Sequence, residues 1–271
     1  AQSDISAEIA RDGLAKTEAR LAALVDGRLT VPEPVTDADR FALAGMRFLL
    51  GVEKSLQLRW KHGLNTKYSE LPVLRLPLEP NPNPEPWQPE LVRDIFTGVL
   101  GDMTAVSEAL APIPETTDMW LEVALNDMWF DIDADGQRDE REDLFELAGT
   151  VIGRGPAAIG SETGEIPKLV VRFDGSDVAW LDAYAHFLSG MSETVLAYDP
   201  TEAIRKTTDA NANLAEMNTG LQMMNAMDME FGFFVDRVAI IEAALDQEPD
   251  AERARAAHGH FLAMIARNRD F

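Results

Sequence analysis

The chain has 271 residues, of which 47 are acidic and 24 basic, and its formal net charge at pH 7 is −23. A charge of this sign is repelled by nucleic acid phosphates and by anionic lipid, so nucleic acid is excluded as a partner and cations are favoured. No cysteine is present, which excludes disulfides, thiolate metal sites and cysteine nucleophiles. The hydrophobic fraction of 46% is enough for a packed core, and no apolar run reaches the length of a membrane span.

The sequence begins with Ala1 and a polar stretch, AQSDIS. This start resembles the mature end left by removal of a signal peptide, so we expect a periplasmic or secreted protein. A trimmed terminus is the alternative interpretation.

Helical periodicity dominates the sequence and predicts an all-α fold, a single irregular domain over residues 1–271 with about eight to ten helices. Helices are predicted at 3–25, 37–62, 88–110, 117–130, 140–152, 176–199, 200–218, 231–246 and 250–267. Ser176 is the expected N-cap of the helix that follows it. The stretch PKLVVRF at 167–173 is compatible with one short strand, but no partner strand is evident.

A proline-rich segment at 71–90, LPVLRLPLEPNPNPEPWQPE, contains seven prolines. Proline prevents a regular helix or a central strand, so we expect an extended connection of the polyproline II type. Its apolar residues would hold it across the helices: Leu71, Val73, Leu74, Leu76 and Trp87. The alternative is a proline-motif ligand for a partner.

An acidic segment at 130–143, FDIDADGQRDERED, carries the strongest motif in the sequence. Counted from its first aspartate, the loop 131–142 follows the spacing D-x-D-x-D-G-x5-E, with candidate ligands at positions one, three, five, seven, nine and twelve. These are Asp131, Asp133, Asp135, Gln137, Asp139 and Glu142. Alternate residues of the turn point inward, and Gly136 permits the positive φ of the bend. Oxygen ligands in this number favour Ca²⁺ over Mg²⁺, so the sequence predicts a calcium site.

This loop resembles the calcium loop of EF-hand proteins, over about 12–25 residues of the chain. The resemblance implies a helix on each side and a bidentate Glu142. EF-hands usually pair through an aliphatic residue at position eight, where this chain has Arg138. A second stretch, DANANLAE at 209–216, has the spacing of the first ligands but lacks the glycine and the final acid. We therefore expect a lone structural site that joins two helices, not a paired sensor.

Other metals fit parts of the sequence. Five acidic residues at the ligand positions of the loop would suit a trivalent lanthanide. Lanthanide-binding EF-hand proteins, however, typically have proline at position two, where this loop has Ile132. The methionine-rich segment 217–229 would suit Cu(I), although methionine is also adaptable core filling. His258 and His260 are predicted on a surface helix turn, and His186 in the core.

No motif of a known catalytic class is present, and the glycine-rich stretch at 153–164 lacks the lysine of a phosphate-binding loop. The sequence therefore favours a calcium-binding accessory, binding or scaffold protein, with Ca²⁺ and a further protein as partners. One alternative is an enzyme with a structural calcium and a helical active site that the sequence does not reveal. The other is a periplasmic metal-handling protein.

Overall fold

The computed structural model describes residues 5–30, 34–64, 71–145, 147, 169–217 and 226–270. Over these residues the protein is predominantly helical, and its few strand residues form one two-stranded sheet. The helices are α1 (Ile5–Val25), α2 (Asp37–Lys61), α3 (Leu91–Leu110), α4 (Gly175–Tyr198), α5 (Thr201–Met217), α6 (Ala226–Leu245) and α7 (Ala251–Asp270), and the strands are β1 (Trp120–Ala124) and β2 (Val170–Asp174). The predicted all-α class is confirmed.

The hydrophobic core is built around α1, α2 and α3, with α4 packed against α3. The helix α2 begins with a capping box, in which the Thr36 hydroxyl accepts the Asp39 N–H and the Asp39 carboxylate accepts the Thr36 N–H. The path of α1 is interrupted at Gly13, whose φ of 77° is unfavourable for other residues. A Cβ there would lie 3.1 Å from the ring of Trp129, so this glycine lets the indole pack closely on α1.

The proline-rich segment, expected as a connection across the helices, lies against the C-terminal part of α2 and contains a short 3₁₀ turn at Pro72–Leu74. Three hydrogen bonds attach it to the C-terminal turns of α2: Arg59 Nη2 to the Leu76 carbonyl (3.0 Å), Asn81 Nδ2 to the Trp60 carbonyl (3.1 Å), and the Glu85 N–H to the Lys61 carbonyl (2.8 Å). Of the expected apolar anchors, Leu74 is buried and the others are half-buried. The connection is therefore bound to the body of the protein through both backbone and side chains.

The prediction of a helix at 117–130 is wrong. The first four residues of β1 alternate between exposed and buried, and this strand pairs antiparallel with β2, with Leu121 opposite Phe173 and Val123 opposite Val171. A period of two is the pattern of a half-buried strand, and here it outweighs the helical interpretation. The strand expected within 167–173 therefore has a partner after all.

The N-cap of α4 is Asp174, two positions before the predicted Ser176. The Asp174 carboxylate accepts the Ser176 N–H (2.9 Å), and the Asp177 carboxylate accepts the Asp174 N–H (2.7 Å). An aspartate satisfies these orphan donors at least as well as a serine, and it completes a reciprocal box. The strand β2 thus passes directly into α4.

The antiparallel helices α4 and α7 are joined by polar contacts at three places along their length. Asp182 on α4 accepts a hydrogen bond from Ser107 Oγ (2.7 Å) and forms an ion pair with Arg267 Nε (2.7 Å). Four residues further along α4, His186 lies against His260, and seven residues beyond His186, Glu193 pairs with Arg253 (3.0 Å). These contacts fix the register of the two helices.

The two histidines face each other with 3.0 Å between their Nδ1 atoms. Burial lowers the pKa of His260, the neighbouring His186 lowers it further, and Glu193 opposes both. The expectation of a surface position for His260 is therefore wrong, since it is half-buried between α4 and α7. His186 is hydrogen-bonded, as expected, but it is half-buried in the same helix interface and does not lie in the core.

We predict that lowering the pH below 6.5 destabilises the protein through His260. Because its pKa is lowered on folding, the unfolded chain binds more protons in this range, and the free energy of unfolding rises with pH. Denaturant unfolding at about pH 5 and pH 7.5 should show a smaller pH dependence for His260→Gln than for the unchanged protein. His258→Gln, on the exposed side of the same helix, is the control and should leave the pH dependence unchanged.

The segment 209–216 lies within the continuous helix α5, so it does not form a loop around an ion. Side chains at 211–234 are not described, and the methionine-rich segment 217–229 lies among them. The glycine-rich stretch 153–164 and much of the predicted helix 140–152 also lie outside the described residues. No helix in the described part of the chain is long and apolar enough to cross a membrane.

Candidate metal centre

The acidic loop is closed at its base by a short antiparallel contact. The Phe130 N–H donates to the Glu142 carbonyl (2.9 Å), the Leu144 N–H donates to the Met128 carbonyl (3.1 Å), and Trp129 and Asp143 form a β-bridge between them. The chain enters the loop from a 3₁₀ turn and extended residues, not from the expected helix. An ion here would therefore not join two long helices, and this part of the sequence expectation is corrected.

The backbone within the loop turns sharply at two residues with positive φ, Ala134 at 60° and Gly136 at 74°. Both carboxylate oxygens of Asp131 accept the Gly136 N–H, at 3.2 and 3.1 Å, and Asp133 Oδ1 accepts the Asp135 N–H (3.1 Å). These bonds hold the first two acidic residues of the motif on the inner side of the turn. The glycine has the positive φ expected at position six.

Three carboxylates converge. Ligand atoms of Asp131, Asp133 and Glu142 all lie within 4.8 Å of one another, the only such group in the described part of the chain. Glu142 is 3% exposed. Its Oε1 accepts the Ile132 N–H (2.7 Å) and its Oε2 accepts the Asp139 N–H (3.1 Å), so the last ligand position is fixed from both sides. An all-oxygen set of this charge fits a hard divalent cation.

The electrostatics of the cluster favour a cation. Burial raises the pKa of Glu142, the negative charges of Asp139 and Asp133 raise it further, and the two N–H donors oppose the shift. Behind the loop, burial raises the pKa of Glu53 to about 7. The hydrogen bond from the Asp131 N–H opposes this shift, and the negative charges of Asp131 and Glu142 add to it. A bound cation would lower the free energy of the ionised carboxylates, because each would gain an opposite charge at short range.

Two of the acidic residues predicted as ligands, Asp135 and Asp139, are not in this cluster. Asp135 accepts the Gln137 N–H (2.7 Å) and the Gln137 side-chain amide (3.4 Å). Asp139 accepts the Arg141 N–H (2.7 Å) and forms an ion pair with the Arg141 guanidinium, and this contact lowers its pKa. The structure thus brings together the side chains of three of the five acidic residues predicted as ligands. The ligand atom predicted for Gln137 is its backbone carbonyl, which a group of side-chain oxygens does not include.

Two residues near the loop are not in the motif. Glu53 Oε2 accepts the Asp131 N–H (2.9 Å), and Gln57 Nε2 donates to the Asp131 carbonyl (2.6 Å). Both lie on α2, far from the loop in sequence. The sequence offered one indication of their role. They are two polar residues four apart in a helix that is apolar on more than one side, and buried polar groups need hydrogen-bond partners.

Arg138, at the position where EF-hands pair, has local partners instead. Its Nε donates to Asp143 (2.6 Å) and its Nη2 donates to the Asn126 carbonyl (2.8 Å), so it links the two ends of the loop. Pairing through this residue with a second loop is therefore not needed to satisfy its side chain.

We predict that Arg138→Ile changes calcium affinity by less than about fivefold. Part-exposed ion pairs contribute about 0–1 kcal/mol, and 1 kcal/mol corresponds to about a factor of five in an equilibrium constant. Isothermal titration calorimetry of the variant beside the unchanged protein measures the difference. A much larger loss would show that Arg138 supports the site, and a large gain would indicate that an aliphatic residue here recruits a paired loop.

Comparisons with models of protein families, with curated proteins and with solved structures find no match to this chain.

Proposed function

We propose that this protein binds Ca²⁺ at the loop 131–142 and acts as a non-catalytic accessory, binding or scaffold protein. The observation that carries the proposal is the convergence of Asp131, Asp133 and Glu142 within a motif whose spacing is that of a calcium loop. The motif is a property of the sequence and the convergence of carboxylates is a property of the fold, so two different observations support the same site.

Calcium is preferred to the other ions on chemical grounds. Carboxylate and carbonyl oxygens in a flexible turn suit its larger, variable coordination shell, whereas Mg²⁺ requires a tight octahedron. A lanthanide is the alternative occupant, since five of the ligand positions of the loop carry acidic side chains. Single calcium sites of extracellular modules bind at about 10⁻⁴–10⁻³ M, so the proposal includes a compartment with millimolar calcium, the periplasm or the exterior.

The ion would have a structural role. The base of the loop packs in the core through Trp129 and Phe130, and its first ligand residue is bound to α2. An ion that binds only the folded chain raises the free energy of unfolding by about 2.7 kcal/mol at 100 times its dissociation constant. Calcium is thus proposed to fasten the loop to α1 and α2.

An exposed apolar surface supports a protein partner. The helix α6 exposes Val235, Val238, Ile241 and Leu245, spaced three or four residues apart and so on one face. Contiguous apolar residues exposed along one face of a helix commonly mark a protein interface. This face supports the scaffold or binding role over a purely catalytic one.

An enzyme with a structural calcium is the second candidate. A cavity of about 300 Å³ lies between α3, α4 and α7, with Asp182, Arg267 and Glu115 among apolar residues. Its size is at the lower end for a ligand pocket. Glu53, the carboxyl group with a pKa near neutrality, is not among the cavity residues. Acid–base chemistry there would lack that group, and the non-catalytic role is the better supported of the two.

The proposal predicts a thermal shift. Chelator-stripped protein should unfold at a temperature roughly 5–10 °C lower than protein in excess Ca²⁺, since about 2.7 kcal/mol at about 2–4 °C per kcal/mol gives that range. Mg²⁺ at the same concentration is the control and should give a much smaller rise. Equal shifts for both ions would indicate charge screening, and no shift together with no binding heat in calorimetry would overturn the proposal. La³⁺ and Cu(I) titrations test the metal-handling alternative.

A further inference from the structure

Both peptide groups of Asp131, the first ligand residue, are bound by side chains of α2. Glu53 Oε2 accepts its N–H at 2.9 Å, and Gln57 Nε2 donates to its carbonyl at 2.6 Å. The direction of the Asp131 side chain depends on the backbone that carries it, so these two bonds set where its carboxylate points. We infer that Glu53 and Gln57 are positioning residues for the cation, holding Asp131 in place by its backbone. The inference rests on the proposed calcium site.

The helix α2, which supplies the two residues, is held in place by its packing against α3. Glu53 and Gln57 are four residues apart and therefore lie on one face of α2. On another face, Gly51 lies so close to α3 that a Cβ would be 3.0 Å from Asp102 Cβ, and Lys54 forms an ion pair with Asp102. The two hydrogen bonds to Asp131 thus originate from a helix that is fixed at a second contact.

Glu53 is not itself in the group of converging ligand atoms, and one of its oxygens is occupied by the Asp131 N–H. It is 5% exposed, so its hydrogen bond is shielded from water and its geometry is well defined. Residues that orient metal ligands without touching the ion commonly contribute 10–100-fold to affinity. In paired EF-hands a second loop supports the first, and here α2 would take that supporting role.

Two properties of Glu53 need to be separated, its acceptor oxygen and its negative charge. Glu53→Gln keeps an acceptor for the Asp131 N–H and removes the charge, whereas Glu53→Met removes both at similar volume. Gln57→Met removes the donor to the Asp131 carbonyl and changes no charge. Glu108→Met, at an exposed position of α3, is the control for loss of a remote negative charge.

Calcium titration calorimetry of the five proteins, the unchanged chain included, tests the inference. We expect Glu53→Met and Gln57→Met each to lower calcium affinity by about 10–100-fold. Glu53→Gln and Glu108→Met should stay within about threefold of the unchanged chain, and rescue by glutamine distinguishes positioning from general charge. The unfolding midpoint in chelator identifies any variant that is misfolded. If the Glu53 variants are misfolded, the calcium affinity of Gln57→Met tests the inference.

Equal losses for Glu53→Gln and Glu53→Met would overturn the positioning role, because charge alone would explain the affinity. Unchanged affinity in both methionine variants would overturn it while leaving the calcium site intact. Absence of calcium binding by the unchanged chain would instead overturn the proposed function, and the inference with it.

Discussion

Glu142→Gln should lower calcium affinity by at least about 100-fold, because loss of a residue that merely orients a ligand already costs up to that factor. The carboxylate would offer two oxygens and a full negative charge to the ion, whereas the amide offers one oxygen and none. Both oxygens of Glu142 also accept backbone N–H groups, from Ile132 and Asp139. The new NH₂ group would face one of those donors, so the loop itself would be disturbed.

Asp135→Asn is the matched control for this experiment. It removes one negative charge from the same loop, at a residue outside the converging cluster. We expect a loss of about tenfold or less, as for an outer-shell contribution. Calorimetry with Ca²⁺ on both variants gives the comparison, and the unfolding midpoint in chelator shows whether each is folded. Equal losses would mean that affinity follows the total charge of the loop and not the convergence of three carboxylates.

Features fixed by short stretches of sequence were predictable. The loop motif occupies twelve consecutive residues, so its spacing can be compared directly with a ligand geometry. Amphipathic periodicity likewise predicts α1, α2 and α3 to within a few residues, because each helix satisfies its own backbone. The N-cap of α4 shows the limit, since Asp174 and Ser176 are both good caps and only the observed turn distinguishes them.

Features that need contacts between distant residues were not predictable. The strand β1 was predicted as helix because its partner, β2, lies some fifty residues later. Support for the ion site comes from Gln57 and Glu53, which are 74 and 78 residues from Asp131. One sequence carries no signal for which residues meet at such separations. The expectation that calcium joins two helices was wrong for the same reason. The helix predicted before the loop included the residues that form β1.

Trp129→Ala should lower the free energy of unfolding by about 3–5 kcal/mol, the usual loss for a large buried aromatic residue. Trp129 is 4% exposed, and its Nε1 donates to the Ile9 carbonyl (2.8 Å). Its ring fills the space that Gly13 leaves at the interruption of α1. Trp120→Ala, at a residue 44% exposed, is the control and should cost about 1 kcal/mol or less. Denaturant unfolding in chelator measures both.

Trp129→Phe separates packing from the hydrogen bond and extends the test to the ion site. Phenylalanine keeps most of the ring but leaves the Ile9 carbonyl without its donor, which should cost about 1–3 kcal/mol. Because Trp129 also forms the β-bridge with Asp143, loss of its attachment to α1 should loosen the base of the loop and lower calcium affinity by several-fold. If stability falls while calcium affinity is unchanged, the contacts to α2 alone hold the loop, and α1 contributes only to the core.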